Sequence, residues 1–468
     1  MKLIPVYTWN KTLISLGVKR NRFSKQPWAQ GVILLACVIV AMLLANLPWT
    51  SETYFNILET DLGISVRTPD GGGFVFPAGM TVEKLINDIL MVIFFFTVGL
   101  EIKREIVCGE LSTPKKAILP VIAALGGVLL PACIYILVNH GTAASSGWGI
   151  PTATDIAFAV GILSVLGSRV PVSLKVFLTA LAIADDLVAI LVVAIFYGGA
   201  INLILLGIAF VIIGLVLLMQ KVGEKRPWFF FIPAVIIWIL FYYSGIHATM
   251  SGVVMAFLIP MKPRYSKQYF FRKWKLCRIR LNEYDTIHDE GGFPNGPQRH
   301  FLRELSQTAR DSIGLSYRLE HTLSPWVNFL IMPVFALANA GVHITDPSYF
   351  NVFQYTPELG SVSMGIFLGL LLGKPVGITL ASLLAVKTRM ATMPSGATWK
   401  MLFAVACLGG IGFTMSIFVD TLSFGDQAAD ITLMLRDMGK VAVLMGSLFS
   451  GILGSVLVVL FGKTRPRE

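Results

Sequence analysis

Charge is scarce in this chain. Only 14% of its 468 residues are Asp, Glu, Lys or Arg, against about a quarter in soluble globular proteins. Mean hydropathy is +0.72 and 55% of residues are hydrophobic. Those values exclude a water-soluble globular protein, and they exclude a disordered one as well. Cysteine is also sparse: Cys37, Cys108, Cys133, Cys277 and Cys407 are odd in number and form no C-x-x-C pair, so neither a disulfide framework nor a zinc site is implied. No H-E-x-x-H occurs, which removes a membrane metalloprotease. The Tyr-Asp and Gly-x-Gly-Asp contexts of intramembrane aspartyl proteases are missing from the apolar runs. What the chain has in quantity is apolar runs of about twenty residues, the length that crosses a bilayer core.

Apolar windows give twelve spans, starting near Trp28, Thr81, Ala117, Trp148, Val172, Leu203, Trp228, Ala248, Pro325, Ser361, Trp399 and Asp437. The first run, Trp28–Leu47, is too long for a signal peptide and no small-residue cleavage site follows it, so it is read as retained. An even number of spans puts both termini on one side. All but five of the 38 basic residues (Arg67, Lys84, Lys374, Arg436 and Lys440) fall in segments on that side, which the positive-inside bias makes cytoplasmic. The net charge of +11 is thus topological and does not point to nucleic acid. The expected organisation is a tail (1–27), spans one to eight (28–260), a basic cytoplasmic loop (261–322), spans nine to twelve (323–462) and a tail (463–468). On the outer face, Pro69-Asp70-Gly71-Gly72-Gly73 between Ile64–Thr68 and Phe74–Phe76 signals a hairpin within 61–78. Segment 261–322 reads as a solvated loop near anionic headgroups. The fold class is an all-α polytopic membrane protein with two interrupted helices and a short outer β-hairpin.

A charge near the bilayer centre costs at least about 2.5–3.5 kcal/mol, so ionisable residues there are functional candidates. Asp185 and Asp186 fall midway along Val172–Tyr197, Lys374 midway along Ser361–Val386, and Asp155 after Thr152-Ala153-Thr154. Asp88 is a weaker member. Adjacent residues on a helix diverge by about 100°, so the two aspartates serve two different partners. A hard cation such as Na+ takes several oxygen ligands, and carboxylates, the Thr154 hydroxyl and carbonyls of an interrupted helix supply them. Lys374 is the one basic residue deep in a span and is expected to pair with one of the carboxylates. An ion pair that only holds helices together is the plainer reading, but one lysine does not neutralise three acids. Pro151 within Gly149–Asp155, and Gly409, Gly410 and Gly412 within Leu408–Thr414, signal interrupted helices. Glycines alone also fit close helix packing. Interruptions in both halves of a membrane protein point to an ion-binding centre.

At these residues the chain resembles the NhaA family of bacterial Na+/H+ antiporters. The matching stretches are Thr152-Ala153-Thr154-Asp155-Ile156-Ala157-Phe158, Ala184-Asp185-Asp186-Leu187, Gly99-Leu100-Glu101-Ile102-Lys103-Arg104-Glu105, Gly373-Lys374-Pro375-Val376-Gly377, Gly410-Ile411-Gly412-Phe413-Thr414-Met415-Ser416 and Phe335-Ala336-Leu337-Ala338-Asn339-Ala340-Gly341. The resemblance implies inverted repeats, a bacterial inner-membrane location and no cofactor. It implies pH-regulated, electrogenic export of Na+, and of Li+, against protons, with transport rather than enzymatic activity. It makes Asp186 the principal Na+ and proton carboxylate and Asp185 the partner of Lys374. Asp155 and Thr154 become the interrupted-helix contributors that offset the helix dipoles. Glu101, Arg104 and Glu105 become part of a pH-regulating cytoplasmic mouth, with His247 and His321 matching family histidines; Ser324 stands where some members carry a second histidine. The outer hairpin implies a homodimer. A Na+-coupled symporter of the same fold is the main alternative, ahead of an intramembrane aspartyl protease.

Overall fold

The structure is a computed structural model that describes residues 27–67, 73–76, 80–199, 201–223, 226–285, 296–344, 347–355, 360–424 and 429–462. Both expected tails, apart from Pro27, and the turn residues 69–72 lie outside these. Helices α1 (Pro27–Asn46) and α2 (Ser51–Glu59) lead into two short strands, β1 (Ile64–Arg67) and β2 (Gly73–Phe76). The strands pair antiparallel, with Ile64 opposite Phe76 and Arg67 opposite Gly73. Then follow α3 (Val82–Cys108) and α4 (Pro114–Asn139). A 3-10 segment, Ala143–Thr152, precedes α5 (Ile156–Val165) and α6 (Val172–Phe196). Next come α7 (Leu203–Val222), α8 (Trp228–Ser244) and α9 (Met250–Leu258). After α10 (Lys267–Asp285) and α11 (Gly296–Asp311) come α12 (Leu315–Asn339) and α13 (Val362–Lys387). The last three are α14 (Trp399–Gly409), α15 (Phe413–Ser423) and α16 (Ala429–Phe461).

Among the described residues, eight helices are long and apolar enough to cross a bilayer, or ten if each of two bent pairs is one span. The pairs are Ala143–Thr152 with α5, bent by 41°, and α14 with α15, bent by 48°. The expected seventh and eighth spans are shorter: α8 has 17 residues and α9 nine. Gly245, in the left-handed region at φ 85, closes α8, and Pro260 follows α9. Segment 261–322, expected as a loop, holds two helices. Cys277 of α10 and Thr308 of α11 are buried, and Lys273 Nζ lies 2.6 Å from Glu304 Oε1. Its two ends are tied by Arg264 N and Tyr265 N, which donate to Asp311 O at 2.8 and 3.3 Å. The helix after it starts at Leu315, not at 323. An apolar residue every three or four positions among the charges makes the helix, and overall polarity hid it.

The chain divides into two compact units. One comprises Met1–Met91, Glu105–Gly198 and Asn328–Glu468; the other comprises Val92–Arg104 and Gly199–Val327. In the smaller unit, Leu100, Ala209, Val216, Ile237, Phe241, Ala256 and Leu258 form the core. Lys103 donates to the carbonyls of Phe257, at 2.6 Å, and Ile259. It places a cation on the C-terminal carbonyls of α9.

The larger unit is built around α6. Buried positions make up 72% of its most apolar window, against 11% for α7. Most side chains of α7, a helix of the smaller unit, face outward as lipid-facing ones do, with Leu203, Ile204, Phe210 and Val211 exposed, while Ala209 and Val216 turn into that unit's core. Against α6 pack Leu119 and Ala123 of α4, Leu163 of α5, Ile378 of α13 and Leu402 and Val405 of α14, all buried. Helices α4 and α13 meet backbone to backbone: a Cβ at Gly126 would strike Gly377 O, and one at Gly377 would strike Gly126 O. Gly377 is three residues from Lys374, so this contact sets where the lysine stands. Gly126→Leu is expected to destabilise the fold by about 1–3 kcal/mol, the usual cost of overpacking. Thermal unfolding in detergent checks it; a midpoint equal to that of the unsubstituted protein would count against the contact.

Candidate functional site

Each broken helix stops for a readable reason. Pro151 lacks an N–H, and Ala153 and Asp155 are extended (ψ 151 and 103), so the chain leaves the 3-10 segment and restarts as α5. In the other pair, Gly410, Ile411 and Gly412 separate α14 from α15. Gly412 leaves no room for a side chain, since a Cβ there would meet Ser416 Oγ and Ala153 O. The two breaks touch. Asp155 N donates to Ile411 O at 2.6 Å, and Thr154 Oγ1 donates to Gly409 O at 2.8 Å.

One carboxylate then serves two helix starts. Asp155 Oδ1 accepts from Phe158 N at 3.2 Å, capping α5. Its Oδ2 accepts from Thr414 N at 3.2 Å and Thr414 Oγ1 at 2.5 Å, at the first turn of α15. Helix N-termini carry partial positive charge and unsatisfied N–H groups, and a single negative charge answers both. The C-terminal end of α14 faces the opposite sign. Lys374 Nζ donates to Thr154 Oγ1, which itself donates to Gly409 O.

Lys374 is fully buried, and its Nζ lies 2.6 Å from Asp185 Oδ2. It follows a π turn, Gly369–Gly373, the kind of helix irregularity that accompanies functional sites. Glycine is required at that turn's ends, where Cβ atoms would meet Pro151 at Gly369 and Pro131 at Gly373. Asp185 and Asp186 are 1% and 3% exposed. Asp185 is thus the carboxylate that the lysine meets directly, and Asp186 acts on the same ammonium through space. Three acids, one cation, the hydroxyls of Thr154 and Thr414 and the carbonyls of Gly409 and Ile411 are gathered where the two broken helices cross.

The other candidates lie elsewhere. Asp88 is half-buried in a π turn of α3, next to Asn87, which exchanges hydrogen bonds with Asn339 at 3.1 and 2.9 Å. In the smaller unit, Arg104 lies 3.7 Å from Glu101 and 2.5 Å from Glu320. His321, beside Glu320, is exposed and stacks on Tyr317 at 6.1 Å. Ser324 Oγ donates to Glu320 O at 2.6 Å. Glu105 accepts from Glu110 N at 3.0 Å, and His247 is half-buried in the turn before α9.

Sequence reading missed three residues. Thr414 stood inside a noted stretch, but only the fold reveals it as a ligand of Asp155. Glu320 was overshadowed by its histidine neighbour. Asp420, on α15, is fully buried, and the rule that singled out Asp155 applied to it as well: an acid inside an apolar run.

Known proteins resemble this chain along nearly its whole length. The profile of the Na+/H+ antiporter 1 family matches residues 21–458. The Na(+)/H(+) antiporter NhaA of Wolinella succinogenes is 42% identical over 438 residues, covering 94% of this chain and 92% of that protein. The protein of the same name from Sulfurimonas denitrificans is 40% identical, covering 97% of this chain and 98% of its own length. That of Koribacter versatilis is 41% identical, with 93% and 90% covered. A profile that spans the broken helices, together with relatives aligned along nearly their whole lengths, means that this chain belongs to the Na+/H+ antiporter 1 family.

Proposed function

We propose that this chain exports Na+, and Li+, in exchange for protons, both ions competing for Asp186 at the crossing of the two broken helices. It is a Na+/H+ antiporter, a secondary transporter and not an enzyme, with the ions as substrates. The observation that carries the mechanism is Asp155 bonded to both α5 and α15 beside the Asp185–Lys374 pair. Helix ends whose charge is answered by side chains can meet in the middle of a bilayer, leaving carboxylates to trade a cation for protons.

Asp185 and Asp186 are the Na+ and proton carboxylates and Lys374 the counter-charge of Asp185. Asp155 and Thr154 hold the crossing, with Gly409, Gly410 and Gly412 allowing the break. Alternating access follows when the two broken helices, around Asp155 and Gly410, move relative to a fixed partner bundle. Twelve spans in inverted repeats, both termini cytoplasmic, in a bacterial inner membrane, complete the reading, with exchange electrogenic. The hairpin 61–78 joins two copies as a homodimer. Glu101, Arg104, Glu105, His247 and His321, joined by Glu320, adjust activity to cytoplasmic pH.

Everted membrane vesicles energised to an acidic interior and loaded with a ΔpH-sensitive dye give the direct test. NaCl or LiCl is expected to dequench the dye within seconds, while choline chloride does not. A symporter would acidify or leave the interior unchanged on Na+ addition.

A further inference from the structure

Asp420 has no place in the mechanism above, yet it is one of the most enclosed acids in the molecule, at 0% exposure. Neither of its carboxyl oxygens has a hydrogen-bond partner among the described residues. Buried polar groups are almost always satisfied, and an exception calls for a reason. The neighbouring chain is shaped to fit it: a Cβ on Gly439 of α16 would collide with Asp420 Oδ1, so only glycine leaves room for the carboxyl. Arg436 and Lys440, one turn apart on the same face of α16, are the cations whose fields reach it, and Asp437 is the acid that opposes them. Arg436 Nε is likewise buried without a partner among the described residues. Tyr135 of α4 and Tyr197, just after α6, lie within the field of the same carboxyl. These tyrosines hold the 3-10 half of the first broken helix, Tyr135 donating to Ala144 O at 2.8 Å and Tyr197 to Ser146 O at 2.9 Å. Among the described residues, the 3-10 segment and the end of α12, which also pack on α15, bring no titratable side chain.

We propose that Asp420 is a second proton-accepting site of the exchange cycle, placed between the helix crossing and the outer face. A carboxyl that no donor faces lacks either a proton or a cation. Two cations stand on the facing helix without closing on it, and their fields stabilise the carboxylate once its proton has left. Asp420 lies seven residues beyond the break at Phe413, about 10 Å along α15 at 1.5 Å per residue. That span is the outer half of the second broken helix in the orientation proposed above, the half a proton crosses first on its way in. Lys440 and Arg436 receive the carboxylate when it gives up its proton toward the crossing. The proposal rests on the antiport reading and its orientation.

Vesicles of the two orientations separate the faces. In right-side-out vesicles the bath is the outer solution; in everted ones it is the cytoplasmic solution. Asp420→Asn is expected to shift the bath-pH midpoint of Na+/H+ exchange by at least one unit, tenfold in proton concentration, or to flatten the profile, in right-side-out vesicles alone. Asp420→Glu is expected to return it toward that of the unsubstituted protein. Equal shifts on both faces, a shift confined to everted vesicles, or none at all would overturn the proposal. Lys440→Gln keeps the carboxyl and gives a second reading if Asp420→Asn does not accumulate: it too must move the right-side-out profile alone, and an unmoved profile overturns the assignment. Absence of Na+-driven proton flux from the unsubstituted protein in both vesicle types would instead defeat the antiport reading.

Discussion

Asp186→Asn is expected to abolish Na+-driven proton exchange while the protein still reaches the membrane and unfolds at its usual temperature. The substitution keeps the size of the side chain and removes the charge. At 4 Å and an effective dielectric near 20, a carboxylate attracts a monovalent cation by about 4 kcal/mol, so its loss weakens Na+ binding about 1,000-fold. The amide also cannot carry the proton. Because Lys374 is bonded to Asp185, neutralising Asp186 leaves the direct ion pair intact, and the fold tolerates the change. Normal exchange at equal membrane levels would remove Asp186 from the site. Asp185→Asn behaves differently: it strips Lys374 of its partner, and both transport and stability fall.

Lys374→Ala has the second large effect. The ammonium is fully buried and serves both Asp185 and Thr154. Removing one member of a buried pair leaves the other charge uncompensated, which costs about 3–5 kcal/mol. Transport and thermal stability should therefore drop together. Lys374→Arg keeps the charge and should retain more of the stability, although the guanidinium does not reproduce the geometry at Thr154. Wild-type melting and transport in Lys374→Ala would mean that the lysine is not the counter-charge of Asp185.

Much of this site was legible in the sequence because the bilayer makes charge expensive. Asp155, Asp185, Asp186 and Lys374 stand out inside apolar runs, and the structure gathers them in one buried place. The two breaks were legible from Pro151 and the 409–412 glycines. Which carboxylate meets Lys374 came from the family resemblance, since the residues by themselves left it open; helix rotation, set by the packing of α13 on α4 at Gly126 and Gly377, decides it. Asp155 as a double cap was hidden for the same reason, because its partner Thr414 is 259 residues away. The helices of segment 261–322 escaped notice because many of their side chains face water, so the apolar signal is thin. Asp420 was within reach of the same rule and was passed over near the end of its span.

Na+ titrations of exchange in proteoliposomes at several pH values test the central claim, that Na+ and H+ occupy one carboxylate site in turn. Competition by mass action makes the apparent KM for Na+ rise as pH falls, approaching about tenfold per pH unit once the proton outcompetes the cation, with the maximal rate at saturating Na+ changing far less. A KM that stays constant while pH alters only the maximal rate would contradict a shared site and place the pH response in a separate sensor, with Glu101, Arg104 and Glu320 the first residues to test.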